Sequence, residues 1–180
     1  MNIFFTADTH FGHTKILSYE NRPFKDLEDM NESMIENWNK KVGKKDRIYI
    51  LGDFVFSNPI PIGTRLNGYK ILIRGNHDRY SVTKAKRAGI KEVYDLKTIK
   101  IDNQNIVLCH YPMYSWEKSC HGSWNLHGHI HSNTIEFNPL RYNVGVDINN
   151  FTPLSYEEVE NIIIDQIIIE NRGFINDLFM

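Results

Sequence analysis

The chain has 180 residues, a net charge of −1, 41% hydrophobic and 24% charged residues. That length supports one globular domain over residues 1–180 with a sizeable core. Scattered Lys and Arg exclude a uniformly basic nucleic-acid-coating surface and leave room only for a local basic patch.

The N-terminal MNIFFTADTH has no basic leader, so no signal peptide is expected. Within it, residues 2–8 read as a buried strand, an apolar run ending in a polar cluster. Leu27, Met30, Met34, Ile35 and Trp38 recur at helical spacing, which predicts a helix over 27–41 with Gly43 as its stop. Residues 46–53 and 69–76 read as the second and third strands, and a basic helix over 81–88 ends at Gly89. Residues 93–101 and 105–110 read as a hairpin turning at Asp102-Asn103. Cys109 and Cys120 are too few for a disulfide framework and point to a reducing, cytoplasmic setting. Residues 124–129 and 142–147 read as further strands. Ser155 and Glu158 form a capping box that opens a final helix. The Ile-rich tail is broken by Asp165 and Gln166 and is too short to span a bilayer. Strands alternating with helices early, followed by a β-rich stretch, predict two packed sheets with helices outside.

The chemistry gathers at the ends of these strands. ADTHFGH carries Asp8 and His10, LGDF carries Asp53, and RGNHD carries Asn76, His77 and Asp78. CHYP carries His110, and NLHGHIHS carries His127, His129 and His131. Carboxyl ends of strands are where α/β folds bind ligands. Asp8 and His10 are two apart, as are His129 and His131, so extended backbone would turn each pair to one side. Carboxylates, imidazoles and one amide suit Mn²⁺, Fe²⁺ or Zn²⁺ and not a thiolate zinc site. Seven candidate ligands are too many for one ion, but suffice for two with a carboxylate between them.

In their order, DTH, GD, GNHD, a lone His and GHIH resemble the calcineurin-like metallophosphoesterases, and NVGVDINNFTPLSYEEV is similar to small members of that family. The resemblance implies an α/β fold, a four-layer α/β/β/α sandwich of two mixed sheets flanked by helices. It implies two divalent metal ions, manganese before iron, zinc or nickel. Asp8, His10 and His131 would hold one, Asn76, His110 and His129 the other, with Asp53 bridging. A hydroxide activated by both metals would attack phosphorus in line. His77, left over from the ligand set, is then the expected general acid, oriented by Asp78. His127 is expected to pack or to bond behind the ligands, and His13 and Arg22 are candidate substrate contacts.

Once the motifs are placed, no segment remains for a cap, and an open site suits a phosphodiester. The expected partner is a phosphate-ester substrate such as a nucleotide or a nucleic-acid end, with no membrane. The alternatives are a phosphomonoesterase or protein phosphatase, and a non-catalytic metal-binding scaffold. Retention of His77 and every candidate ligand favours the enzyme over the scaffold.

Overall fold

Apolar runs with few polar interruptions build the strands nearest the centre, because these strands are buried on both faces. In the computed structural model, which describes residues 1–177, β1 (Ile3–Thr6), β2 (Arg47–Ile50) and β3 (Tyr69–Ile73) run parallel. β4 (Ile90–Tyr94) continues the parallel set, and β9 (Leu154–Ser155) closes the far edge antiparallel, giving the order β4-β3-β2-β1-β9. A second sheet, β5-β6-β7-β8, comprises Leu96–Ile101, Gln104–Cys109, Trp124–His127 and Arg141–Asn143. β5 and β6 are antiparallel and the remaining pairs parallel, so both sheets are mixed. The helices α1 (Ile16–Tyr19), α2 (Leu27–Lys41), α3 (Ile60–Gly63), α4 (Val82–Arg87) and α5 (Tyr156–Asp177) flank them. This is the expected α/β/β/α arrangement.

Alternation along the strands divides the core. Phe4, Ile48, Ile50 and Leu72 face one way and pack against Met30, Met34, Ile35 and Trp38 of α2. Phe5, Tyr49, Leu51, Ile71 and Ile73 face the other sheet, where they meet Ile106, Leu108 and Leu126. Val159 and Ile163 of α5 join this second core. Two local signals act as the sequence suggests. The Ser155 N–H donates to Glu158 at 2.7 Å and the Glu158 N–H returns to Ser155 Oγ at 3.2 Å. Asp26 caps α2 by accepting from the Asp29 N–H at 2.9 Å.

The chain differs from expectation in two places. Residues 93–101 are not one strand: the chain leaves the first sheet after Tyr94 and enters the second at Leu96. No Gly or Pro marks the change at Asp95, so the sequence carries no break signal there. Residues 142–147 shorten to β8 followed by a 3₁₀ turn over Val146–Ile148. Among the described residues, no helix is long and apolar enough to cross a membrane.

Lys70 is 5% exposed, and its ammonium donates to the Leu66 carbonyl at 2.6 Å. Burial, aided by the charge on Lys91, lowers its pKa from 10.5 to about 8. The unfolded chain therefore holds a proton between these values that the folded protein does not, and stability rises with pH across that window. Urea denaturation at pH 8, 9 and 10 should show wild type gaining on the order of 2–3 kcal/mol relative to Lys70→Met. Parallel pH curves for the two proteins would contradict this.

Candidate metal centre

The site lies where strands of both sheets end side by side. The loops after β1 and β2 stay paired beyond the strands. Asp8 N–H donates to the Gly52 carbonyl at 3.0 Å, His10 N–H to Asp53 at 2.9 Å and Phe11 N–H to Phe54 at 3.1 Å. A parallel bridge between Ala7 and Gly145 ties the first sheet to the segment after β8. The carboxyl ends of β1, β2, β3, β6 and β7 thus converge on one point.

The backbone there is not extended. Asp8, His10, Asp53, His129 and His131 all have φ between 48° and 73°, in the left-handed region. The i, i+2 pairs therefore converge through left-handed turns and not through strand pleating, which corrects the geometric expectation. Such conformations cost roughly 1–3 kcal/mol each for residues with a Cβ and persist where surrounding structure imposes them. Close packing imposes part of this. A Cβ on Gly128 would overlap Asp8 Oδ2, and one on Gly52, itself at φ +89°, would overlap His110 Nδ1.

Asp53 is the hub. Its Oδ2 lies 3.5 Å from His10 Nε2, 3.7 Å from His110 Nε2 and 4.0 Å from His77 Nε2. Its Oδ1 accepts the His77 backbone N–H at 2.9 Å. His110 Nδ1 donates to the Leu51 carbonyl at 2.8 Å, which turns Nε2 toward the cluster. His110 Nε2 lies 3.1 Å from Asn76 Oδ1. The His129 ring packs on His110 at 5.0 Å, and its backbone N–H donates to Asp8 at 2.9 Å. The His131 ring stacks on His10 at 5.1 Å. All seven nominated ligands are brought together.

Two subsets could hold a cation: Asp8, His10 and His131, and Asp8, Asp53 and His110, each with ligand atoms within 4.8 Å of one another. Asp8 belongs to both. The donors fit divalent ions. His10 Nε2 is buried without a hydrogen-bond partner. Burial pushes the Asp8 pKa up to about 8, against the lowering by the charge on His131 and with a smaller push from Asp53. Burial and the nearby charges of His131 and Arg22 drop His10 to about 2, leaving it a neutral donor. Burial and His110 lower His129 as well.

Two nominated residues, Asp78 and Arg22, do other work than expected, while His127 packs as expected. Asp78 does not orient His77. Its carboxylate accepts from the N–H groups of Asp53, Gly75 and Phe54 at 2.8–3.1 Å and from Tyr80 Oη at 3.1 Å, which bonds the Asp53 loop to the Asn76 loop. Arg22 is no exposed phosphate contact. Its buried guanidinium grips Asp147 at 2.7 and 3.0 Å and donates to the Asp8 and Thr9 carbonyls at 2.7 and 3.0 Å. His127 is buried and its Nδ1 meets the Gly128 carbonyl at 2.8 Å, a packed position behind the site. His13 stands at the rim, with its Nδ1 3.4 Å from His10 Nδ1.

Asp147 escaped the sequence reading. It accepts from His131 Nδ1 at 2.7 Å while holding Arg22. Burial pulls the His131 pKa down, but this bond and the charge of Asp8 outweigh it, and the net shift is upward. A carboxylate behind an imidazole fixes the tautomer, so Nε2 of His131 faces the cluster. The signal was available: Asp147 follows the YNVGV run as Asp8 follows NIFFTA.

Mixed sheets flanked by helices, with a carboxylate–imidazole cluster at their strand ends, define an α/β protein with a candidate metal centre. A model of the calcineurin-like phosphoesterase family matches residues 1–165, and the chain belongs to that family. The family acts on phosphate esters with divalent metals. An uncharacterized protein of Methanocaldococcus jannaschii is 36% identical over 172 residues, covering 89% of this chain and 90% of its own. The Gene 66 protein of Mycobacterium phage D29 is 30% identical over 178 residues, covering 81% and 88%. The solved structure of a protein of unknown function from Aquifex aeolicus superposes with a TM-score of 0.71 at 26% identity, over 89% of this chain and 98% of that one.

Asp147→Asn should lower Mn²⁺ affinity about 10- to 100-fold in calorimetric titration. Unchanged affinity in a folded variant would show that Asp147 does not support a metal ligand.

Proposed function

We infer that the chain is a phosphodiesterase using two divalent cations, manganese before iron, zinc or nickel. Asp8, His10 and His131 would hold one cation, Asn76, His110 and His129 would hold the other, and Asp53 would serve both. The observation that carries this reading is the placement of Asp53 Oδ2 between His10 Nε2 at 3.5 Å and His110 Nε2 at 3.7 Å, one from each half-site. Bound cations lower the pKa of coordinated water and neutralise charge on phosphoryl oxygens.

The residues of the chain supply the rest. The left-handed loops orient the donors, and the Asp78 bonds keep the Asp53 and Asn76 loops in register. His77 stands at the mouth, its side chain 38% exposed and its backbone held by Asp53 Oδ1. In hydrolysis a P–O bond forms to the water oxygen and the P–O bond to the leaving alcohol breaks. The departing oxygen takes a proton from His77 Nε2, which solvent restores. Exposure of His77 supports an open site that accommodates both substituents of a diester, as in a nucleotide or a nucleic-acid end. The free Cys109 and Cys120 support a reducing, cytoplasmic setting for a single domain spanning 1–180.

His77→Ala should retain both metals and lose about 10²- to 10⁴-fold in turnover, measured beside metal content. Full activity with unchanged metal would remove the role. Protein stripped and reloaded with Mn²⁺ should hydrolyse a chromogenic phosphodiester faster than its monoester. Preference for the monoester would make it a phosphatase, and two bound metals with no turnover of any ester would make it a scaffold.

A further inference from the structure

Aromatic side chains stand outside the ligand cluster with no part in it. His13 and Phe56 stack face to face, ring centroids 4.0 Å apart and planes 6° from parallel. Phe56 is 46% exposed and belongs to neither hydrophobic core. Tyr19, also exposed, approaches His13 edge-on at 6.2 Å. The pair is held by backbone: Phe56 N–H donates to the Phe11 carbonyl at 2.9 Å, and His13 N–H to the His10 carbonyl at 3.0 Å. The same two loops carry Asp53 and His10, so the stack is fixed relative to the reacting centre.

Gly12, His13, Thr14, Lys15 and Phe56 line an open depression of about 320 Å³, large enough for one nucleobase. It adjoins His77, whose ring lies 5.7 Å from Phe56 and 6.3 Å from His13. This neighbour relation assigns a direction. The group that receives a proton from His77 is the leaving oxygen, so the body of the leaving alcohol lies on the His77 side. An exposed phenyl ring with one face already stacked on His13 offers its other face to a flat ring by stacking.

We propose that this depression is the leaving-group subsite, taking a nucleoside whose base stacks against Phe56 and whose hydroxyl oxygen departs over His77. The proposal rests on the phosphodiesterase reading of the same site. The bond from phosphorus to the water oxygen forms as that water gives a proton to solvent, the P–O bond to the nucleoside oxygen breaks, and the proton on His77 Nε2 passes to the nucleoside oxygen and is replaced from solvent.

The test compares two dinucleotides on the manganese-loaded protein, identical except that the leaving unit carries adenine or is abasic. Wild type should prefer the adenine form in kcat/KM by about tenfold or more. Phe56→Ala should bring that ratio toward one, and Phe56→Trp should keep it. A wild-type ratio near one, with both dinucleotides hydrolysed, overturns the subsite and leaves the phosphodiesterase reading standing. If neither is hydrolysed, that reading fails and adenosine decides the subsite, titrated into the protein while the His13 ring protons are followed by NMR. A shift in wild type that Phe56→Ala abolishes supports the subsite, and no shift overturns it.

Discussion

Two carboxylates, Asp8 and Asp53, are buried at the ends of adjacent parallel strands, and neither forms an ion pair with a lysine or arginine among the described residues. Burying unpaired carboxylates is costly, and that cost shapes much of the architecture. Imidazoles surround them, of which His10 is held neutral by burial. A bound cation would satisfy carboxylates and imidazole lone pairs together. The left-handed backbone raises the stakes. Five site residues at roughly 1–3 kcal/mol each approach the whole net stability of a domain, about 5–15 kcal/mol. The structure must offset that strain elsewhere.

It does so by bracing the loops on every side. The ladder from Asp8–Gly52 to Phe11–Phe54 extends sheet-like pairing past the strands, so the ligand loops behave as part of the sheet. Asp78 collects four donors beneath the site. Arg22 joins the Asp8 carbonyl to Asp147, and Asp147 in turn holds His131. Through one guanidinium the first ligand loop and the last are bonded together. Such bracing suits a site whose donors have to be in place before a substrate arrives.

The amino-acid sequence made much of this legible because most of the nominated ligands lie just past an apolar run, and Asp53, Asn76 and His129 each follow a glycine that close packing requires. Periodicity separated the α2 face from the strands, and Ser155 with Glu158 announced α5. Other features were hidden for physical reasons. The passage between sheets at Asp95 leaves the strand pattern unbroken, so a pattern-based reading joins β4 to β5. Left-handed φ at Asp8 or His129 leaves no trace in residue type, because neither is glycine. Arg22 read as a substrate contact, since Asp147, the carboxylate that grips it, lies 125 residues away. Asp78 beside His77 suggested a pair, yet nearer backbone donors claimed its oxygens.

The convergence of both sheets on one point bears on how the chain reaches its native state. Asp8, His10, Asp53 and Asn76 come from the first sheet, while His110, His129 and His131 come from the second. A chain with only the first sheet formed would lack three of the imidazoles gathered here. On the proposed function, tight capture of metal would wait until the two sheets have docked, and a bound cation would link the sheets across their seam as a staple would, favouring the assembled form by mass action. Metal occupancy would then report completed folding.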